Sequence, residues 1–383
     1  MASHCARATG RTHGDDRRML RGEHPVRTRR LAIVLLLVLG GLAAALVAAG
    51  NPGNMGLCGA CFLRDLGGAL GLHKGPAIVR PEVCGLALGA LLWSLLRRRH
   101  VGRSGSHAVA RFLLCVAMAI GAMVFLGCPF RLLQRLGGGD ANAWLALPGL
   151  LLGVAIARQF EQRGYSLGKT QEVPRAVGLL GPLVCLGILI AYGVGADFGG
   201  PAAGATTGPA HAPWLLATGI ALSAGMVLSA TGFCAISAVR TIFGGPRWML
   251  WAALAFVLGY VAIAASTGKL HFGFAGQPVA HGDWLWNTLA LLLVGLCGAL
   301  AGGCPVRQIV MAGEGNGDAF VGCAGLVVGG ALAHTLQLAS APATAQALGG
   351  ASANGKLVVV GLLVLVLAYA FAMAKGKGSA AAA

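Results

Sequence analysis

The sequence predicts an all-α integral membrane protein of about ten transmembrane helices plus four short re-entrant helices, arranged as an inverted internal repeat. Three observations carry that expectation: a composition too apolar for a soluble globule, a regular succession of apolar runs, and Cys- and Arg-bearing blocks that recur at a constant offset.

Of the 383 residues, 56% are hydrophobic and 11% charged, and the mean hydropathy is +0.75. That leaves too little polar surface to coat a globule in water, so a bilayer is the expected solvent. A helix crosses a hydrocarbon core with about 20 apolar residues at about 1.5 Å rise each. Such runs fall near residues 31–50, 78–97, 109–127, 144–158, 176–195, 213–230, 247–266, 284–302, 319–338 and 356–374. The run at 144–158 is the shortest and is expected to extend into its neighbours.

A net charge of +17 suits nucleic acid, but the distribution of that charge argues against such a partner. Basic residues fall in alternate connections: Arg17, Arg18, Arg27, Arg29 and Arg30 before the first run, Arg97, Arg98, Arg99 and Arg103 after the second, Arg158, Arg163, Lys169 and Arg175 after the fourth, and Lys375 and Lys377 at the end. Excess Lys and Arg mark cytoplasmic connections, so the reading is a multi-pass protein of a bacterial inner membrane with both termini in the cytoplasm. Connections 196–212 and 339–355 are almost uncharged, as expected of the outer side. Thr28-Arg29-Arg30 before an apolar run resembles an export signal, but the repeat needs this span to stay attached. The expected order is a basic, disordered tail over 1–30, a first membrane repeat over 31–195, a linker over 196–212, a second, inverted repeat over 213–374, and a tail over 375–383.

The repeat is visible in the residues themselves. Gly56-Leu57-Cys58-Gly59-Ala60-Cys61-Phe62-Leu63-Arg64 matches Gly232-Phe233-Cys234-Ala235-Ile236-Ser237-Ala238-Val239-Arg240, 176 residues later. Gly127-Cys128-Pro129-Phe130-Arg131 matches Gly303-Cys304-Pro305-Val306-Arg307 at the same offset, and Gly139-Asp140-Ala141-Asn142 matches Gly315-Asn316-Gly317-Asp318. Five spans per half, an odd number, put the second half into the membrane upside down. Inverted repeats of this kind place a transporter's substrate near the midplane, where interrupted helices present their ends; a duplicated scaffold without transport is the plainer alternative.

All four blocks are too short and Gly-rich to cross the bilayer, so they are read as re-entrant. In Cys-Pro-x-Arg the proline suits the first turn of a short helix, which puts the cysteine at its N-cap, facing unpaired N–H groups and the positive end of the dipole. That setting favours an anion and the thiolate. Arginine at membrane depth costs about 2.5–3.5 kcal/mol on insertion scales, which makes Arg64, Arg131, Arg240 and Arg307 candidate anion-binding residues. Their structural alternative is to tie re-entrant carbonyls together. Cys58, Cys128, Cys234 and Cys304 are each matched by a cysteine across the repeat and join the candidates. Cys61 is treated as accessory, because Ser237 replaces it in the second half and Cys58-x-x-Cys61 lacks both a thioredoxin-like context and a second zinc pair. Cys115, Cys185, Cys297 and Cys323 lack repeat partners and are read as packing residues, Cys84 is left open, and Cys5 lies in the tail. Arg163-Gly164-Tyr165-Ser166-Leu167-Gly168-Lys169-Thr170 imitates a phosphate loop, but Arg163 occupies the first glycine position and no strand precedes it. His271 and His281, in the outer connection before Trp284 and Trp286, are read as interface anchors. His73, Lys74, Glu82, Glu314 and Asp318 lie near the blocks without an assigned role.

Together Asn54-Met55-Gly56-Leu57-Cys58-Gly59-Ala60-Cys61-Phe62-Leu63-Arg64-Asp65, Gly127-Cys128-Pro129-Phe130-Arg131, Gly276-Gln277-Pro278-Val279-Ala280-His281, Gly302-Gly303-Cys304-Pro305-Val306-Arg307-Gln308 and Ala312-Gly313-Glu314-Gly315-Asn316 resemble the YeeE/YedE family, specifically its YedE-type selenium transporter branch, over residues 31–375. The resemblance implies re-entrant helices that form facing dents and cysteines that hand a chalcogen anion across a thin barrier. In related thiosulfate importers the thiols hydrogen-bond the substrate's terminal sulfur; by motif, those thiols here are Cys58, Cys128, Cys234 and Cys304. The Cys-Pro-x-Arg blocks and Cys61 depart from those importers, and the selenium assignment comes from the family's name.

The expected function is therefore transport of a small selenium- or sulfur-containing anion, not enzymatic turnover, with no cofactor and no metal. The expected partners are the anion, the lipid bilayer and a cytoplasmic sulfurtransferase-like acceptor, with no nucleic acid. The rival reading is a membrane-bound thiol oxidoreductase or sulfurtransferase acting through Cys58 and Cys61.

Overall fold

A computed structural model describes residues 26–195, 211–344 and 347–379. Most of the expected N-terminal tail and of the linker 196–212, and the end of the C-terminal tail, lie outside the described residues. The first helix, α1 (Val26–Ala48), begins inside the segment assigned to the tail. The chain continues through α2 (Ala60–Ala69), α3 (Pro81–Leu96), β1 (Gly102–Ser104), α4 (Ala108–Phe125), α5 (Pro129–Gly137), α6 (Ala141–Gln162), β2 (Gln171–Val173) and α7 (Arg175–Gly193). After the linker come α8 (Trp214–Thr231), α9 (Ala235–Arg240) with a 3-10 turn (Thr241–Phe243), α10 (Trp248–Ser266), α11 (Trp284–Leu300), α12 (Pro305–Gly313), α13 (Gly317–Thr335) and α14 (Ala353–Ser379). The last helix thus runs into the stretch expected to be a tail.

Among the described residues, nine helical stretches are long and apolar enough to cross a membrane, and the chain is a multi-pass, predominantly helical membrane protein. Each expected run has its helix. The run at 144–158 lengthens to the 22 residues of α6, because Asp140 stands at its N-cap and accepts from the Asn142 N–H, fixing the start three residues early. The shortest of the ten is instead α3, at 16 residues. Outer and inner positions separate clearly. Only 17% of α7 and 22% of the apolar part of α14 is buried, and both present large side chains such as Leu183, Ile190, Val364 and Phe371 to their surroundings. Apolar residues on every side of an exposed helix require lipid around it. By contrast, 72% of Ala108–Gly137 and 83% of Trp284–Gly313 is buried, so these stretches form the centre.

The helices pack in four intimate pairs, α1 with α10, α3 with α8, α4 with α13 and α6 with α11. Lipid tails are as apolar as the side chains they would replace, so close backbone approach at small residues is what holds such pairs. A Cβ added at Gly40 would come within 1.9 Å of the Phe256 carbonyl oxygen, and one at Gly89 within 2.0 Å of that of Leu222. The pairs echo one another. Gly149 and Gly153 lie against the carbonyls of Thr288 and Leu292, while Gly325 and Gly329 lie against those of Phe112 and Val116. Each member of the second set stands 176 residues from its counterpart in the first. The same offset carries Pro129–Gly137 onto Pro305–Gly313.

Short backbone pairings tie the loops. β1 and β2 pair antiparallel, Arg103 opposite Glu172, joining two of the Arg-rich connections. Asp140 bridges Gly273 and Asn316 bridges Arg103, one at the start of each of α6 and α13.

Candidate functional site

Each Cys-bearing block leads into a short helix. Cys128 and Cys304 occupy the N-cap positions of α5 and α12, with Pro129 and Pro305 in the first turn and neither thiol making a side-chain capping bond. Proline cannot continue a hydrogen-bond ladder, so helix and approach segment separate there. The reversal before each cysteine uses a left-handed residue, Leu126 (φ 59°) in the first half and Gly302 (φ 83°) in the second. For leucine that conformation is unfavourable. It is held because the Leu126 carbonyl accepts from the Arg131 guanidinium.

The cysteines come together in two pairs. Cys58 Sγ lies 3.6 Å from Cys128 Sγ, and the Cys304 N–H donates to Cys234 Sγ at 3.4 Å. All four are buried, as is Cys61. The short helices themselves abut: a Cβ at Gly59, the N-cap of α2, would lie 2.6 Å from both the carbonyl carbon of Pro305 and the amide nitrogen of Val306. Phe130, two residues beyond Cys128, and Phe233, just before Cys234, pack edge to face with centroids 6.3 Å apart.

The four arginines are not alike. Arg131, with no exposed surface, donates to the carbonyls of Asn54 (3.1 Å), Gly53 (3.3 Å), Pro278 (3.4 Å), Val279 (3.3 Å) and Leu126. It clasps three loops. Arg64 pairs with Asp65 at 2.6 Å and reaches His334 Nε2 at 3.2 Å, where the His334 ring stacks on His73 with centroids 4.9 Å apart. Arg80 shares Asp65 at 2.8 Å. Arg307 makes a two-pronged pair with Glu314 at 3.0 and 3.1 Å, and Arg240 pairs with Glu161.

Sequence reading did not single out three residues that build this site. Gln134, one turn beyond Arg131, receives the Leu57 N–H at 3.1 Å and donates back to the Leu57 carbonyl, fixing the backbone next to Cys58. Arg135 is buried against Asp140 at 2.6 Å, with its guanidinium 4.2 Å from the Phe125 ring centre. Asn54 contacts Tyr260 at 3.3 Å. Only their position within a block could have marked them. The outer connection also differs from expectation: His281 is buried and bonds the Val124 carbonyl at 2.9 Å, so it packs inside the protein and does not sit at an interface.

No protein-family model matches the chain, and no curated protein matches it either.

Proposed function

We propose that the chain is an inner-membrane transporter of a small, soft, sulfur- or selenium-containing anion, passed between cysteines of re-entrant helices in two inverted repeats. The observation that carries this reading is the meeting of two buried cysteine pairs, Cys58 with Cys128 and Cys234 with Cys304, where short helices from both halves touch at Gly59 and Pro305. Soft sulfur suits a thiol, and the N-terminal amides of the nine-residue α5 and α12 offer donors and a positive dipole end to an anion. The exchange of partners among the glycine-packed pairs at one constant offset supports the inverted repeat. The alternation of basic connections supports cytoplasmic termini. The likeness to the YeeE/YedE family supports the choice of a chalcogen anion, and a cytoplasmic sulfurtransferase-like acceptor would remove it on the inner side.

In this reading Arg131 acts by shape, holding the loop that carries Cys58, while Arg307 and Arg240 stand toward the inner exit with partly exposed carboxylate partners that an arriving anion can displace. Sealed vesicles containing the purified protein test it directly. Wild type is expected to take up labelled thiosulfate or selenite without a redox partner, and Cys128→Ala and Cys304→Ala are each expected to lose nearly all of that uptake while remaining inserted and folded. Normal uptake in both variants removes the thiol relay; a trapped persulfide or disulfide with no flux favours the thiol enzyme.

A further inference from the structure

Glu82 lies in the first turn of α3, 1% exposed, in a protein whose surroundings are lipid. One carboxyl oxygen, Oε1, accepts from Asn51 Nδ2 at 2.7 Å. The other, Oε2, is buried without a hydrogen-bond partner, and Glu82 forms no ion pair among the described residues. An isolated carboxylate in a low-dielectric interior is strongly disfavoured, and such a group takes up a proton more readily than it stays charged. The charged groups that face it are Arg80 just before it and Asp65 on α2, and Cys84 lies two residues on. Asp65 is engaged by both Arg64 and Arg80.

Asn51 connects this carboxyl to the thiol site. Its Nδ2 also donates to the Gly56 carbonyl at 3.1 Å, two residues before Cys58, and its Oδ1 accepts from the Ala212 N–H at 2.9 Å, at the entry to α8. A change of charge on Glu82 therefore acts on the backbone that presents Cys58 and on the junction of α1 with α8.

We propose that Glu82 is a proton-binding site that couples anion movement to proton movement. This rests on the transporter reading above. An anion entering an inside-negative cell moves against the membrane potential. A proton taken up on Oε2, converting carboxylate to carboxylic acid, and released on the other side with the anion lowers the carried negative charge by one, leaving hydrogen selenite neutral and thiosulfate singly negative. No oxidant or reductant is involved.

The test uses the full chain in sealed vesicles with labelled thiosulfate and, in a parallel arm, selenite. With the outside made acidic and the membrane potential clamped at zero, wild type is expected to accumulate the anion above its outside concentration by about tenfold per pH unit for one coupled proton, and to alkalinise the outer medium as it does so. Glu82→Gln is expected to bring the inside to the outside concentration and no further. Accumulation by E82Q equal to that of wild type overturns the proposal, as does wild-type uptake that leaves the outer pH unchanged, a result that needs no variant. Infrared titration of the unlabelled protein supplies a readout independent of substrate: a protonated-carboxyl band present in wild type and missing in E82Q is expected, and its presence in both overturns the assignment. If neither anion enters with wild type, the transporter reading fails, and the infrared result alone decides whether Glu82 holds a proton.

Discussion

The two cysteine pairs sit in equivalent places but are held very differently. Around Cys58 and Cys128 the supports are buried: Arg131 on five carbonyls, Gln134 on both sides of Leu57, Arg135 on Asp140, and Asp65 between two arginines. Around Cys234 and Cys304 the corresponding positions 176 residues on carry Val310 and Met311 in place of Gln134 and Arg135. The ion pairs there, Arg307 with Glu314 and Arg240 with Glu161, are partly exposed. The helix after Cys234 has six residues, against ten for the helix after Cys58. A buried pair is expensive to break because it leaves an uncompensated charge, whereas an exposed pair contributes little. The half containing Cys58 thus rests on buried ion pairs, whereas the half containing Cys304 rests on partly exposed ion pairs together with buried contacts of Arg111 and Gln308 on the Ala301 carbonyl.

The sharpest way to break this contrast is Arg135→Ala. It leaves Asp140 buried and unpaired, and a loss of about 3–5 kcal/mol is expected in equilibrium unfolding in mixed micelles; a loss as small as that of an exposed pair would erase the distinction. Gln134→Ala strips the buried Leu57 N–H and carbonyl of their partner and is expected to cost about 2–3 kcal/mol in the same measurement. Arg307→Ala is expected to change stability by about 0–1 kcal/mol while altering anion uptake, so uptake and unfolding should separate at this position and not at Arg135. Arg240→Ala should be smaller still, within about 0.5 kcal/mol. A large stability loss there would mean that the half containing Cys234 is as rigid as its counterpart.

Hydropathy was enough to locate every long helix, since lipid exposure leaves α7 and α14 apolar all round and the glycines of the inner helices do not interrupt a run. Helix ends were less legible. The start of α6 depends on the Asp140 side chain, and α14 runs past Lys375 with no local signal to stop it. The repeat singled out the four cysteines by their recurrence, but that Cys58 meets Cys128 and Cys234 meets Cys304 depends on how the short helices fold together. The arginines could not be told apart in this way. Whether Arg131 binds a ligand or ties loops depends on the carbonyls of residues 53–54, 126 and 278–279, which only the folded chain assembles. Glu82 was visible as an acid beside an apolar run, but its isolation depends on where every neighbouring charge ends up.

The pairing of α1 with α10, α3 with α8, α4 with α13 and α6 with α11 has a consequence for biogenesis. Every one of these partners comes from the opposite half of the polypeptide, so nothing emerging early from the ribosome can complete its own contacts. Multidomain chains commonly mature from the N-terminus as synthesis proceeds. Here the nascent first half must wait in the lipid with its glycine faces uncovered until the second half arrives, and severed halves should assemble only when made together.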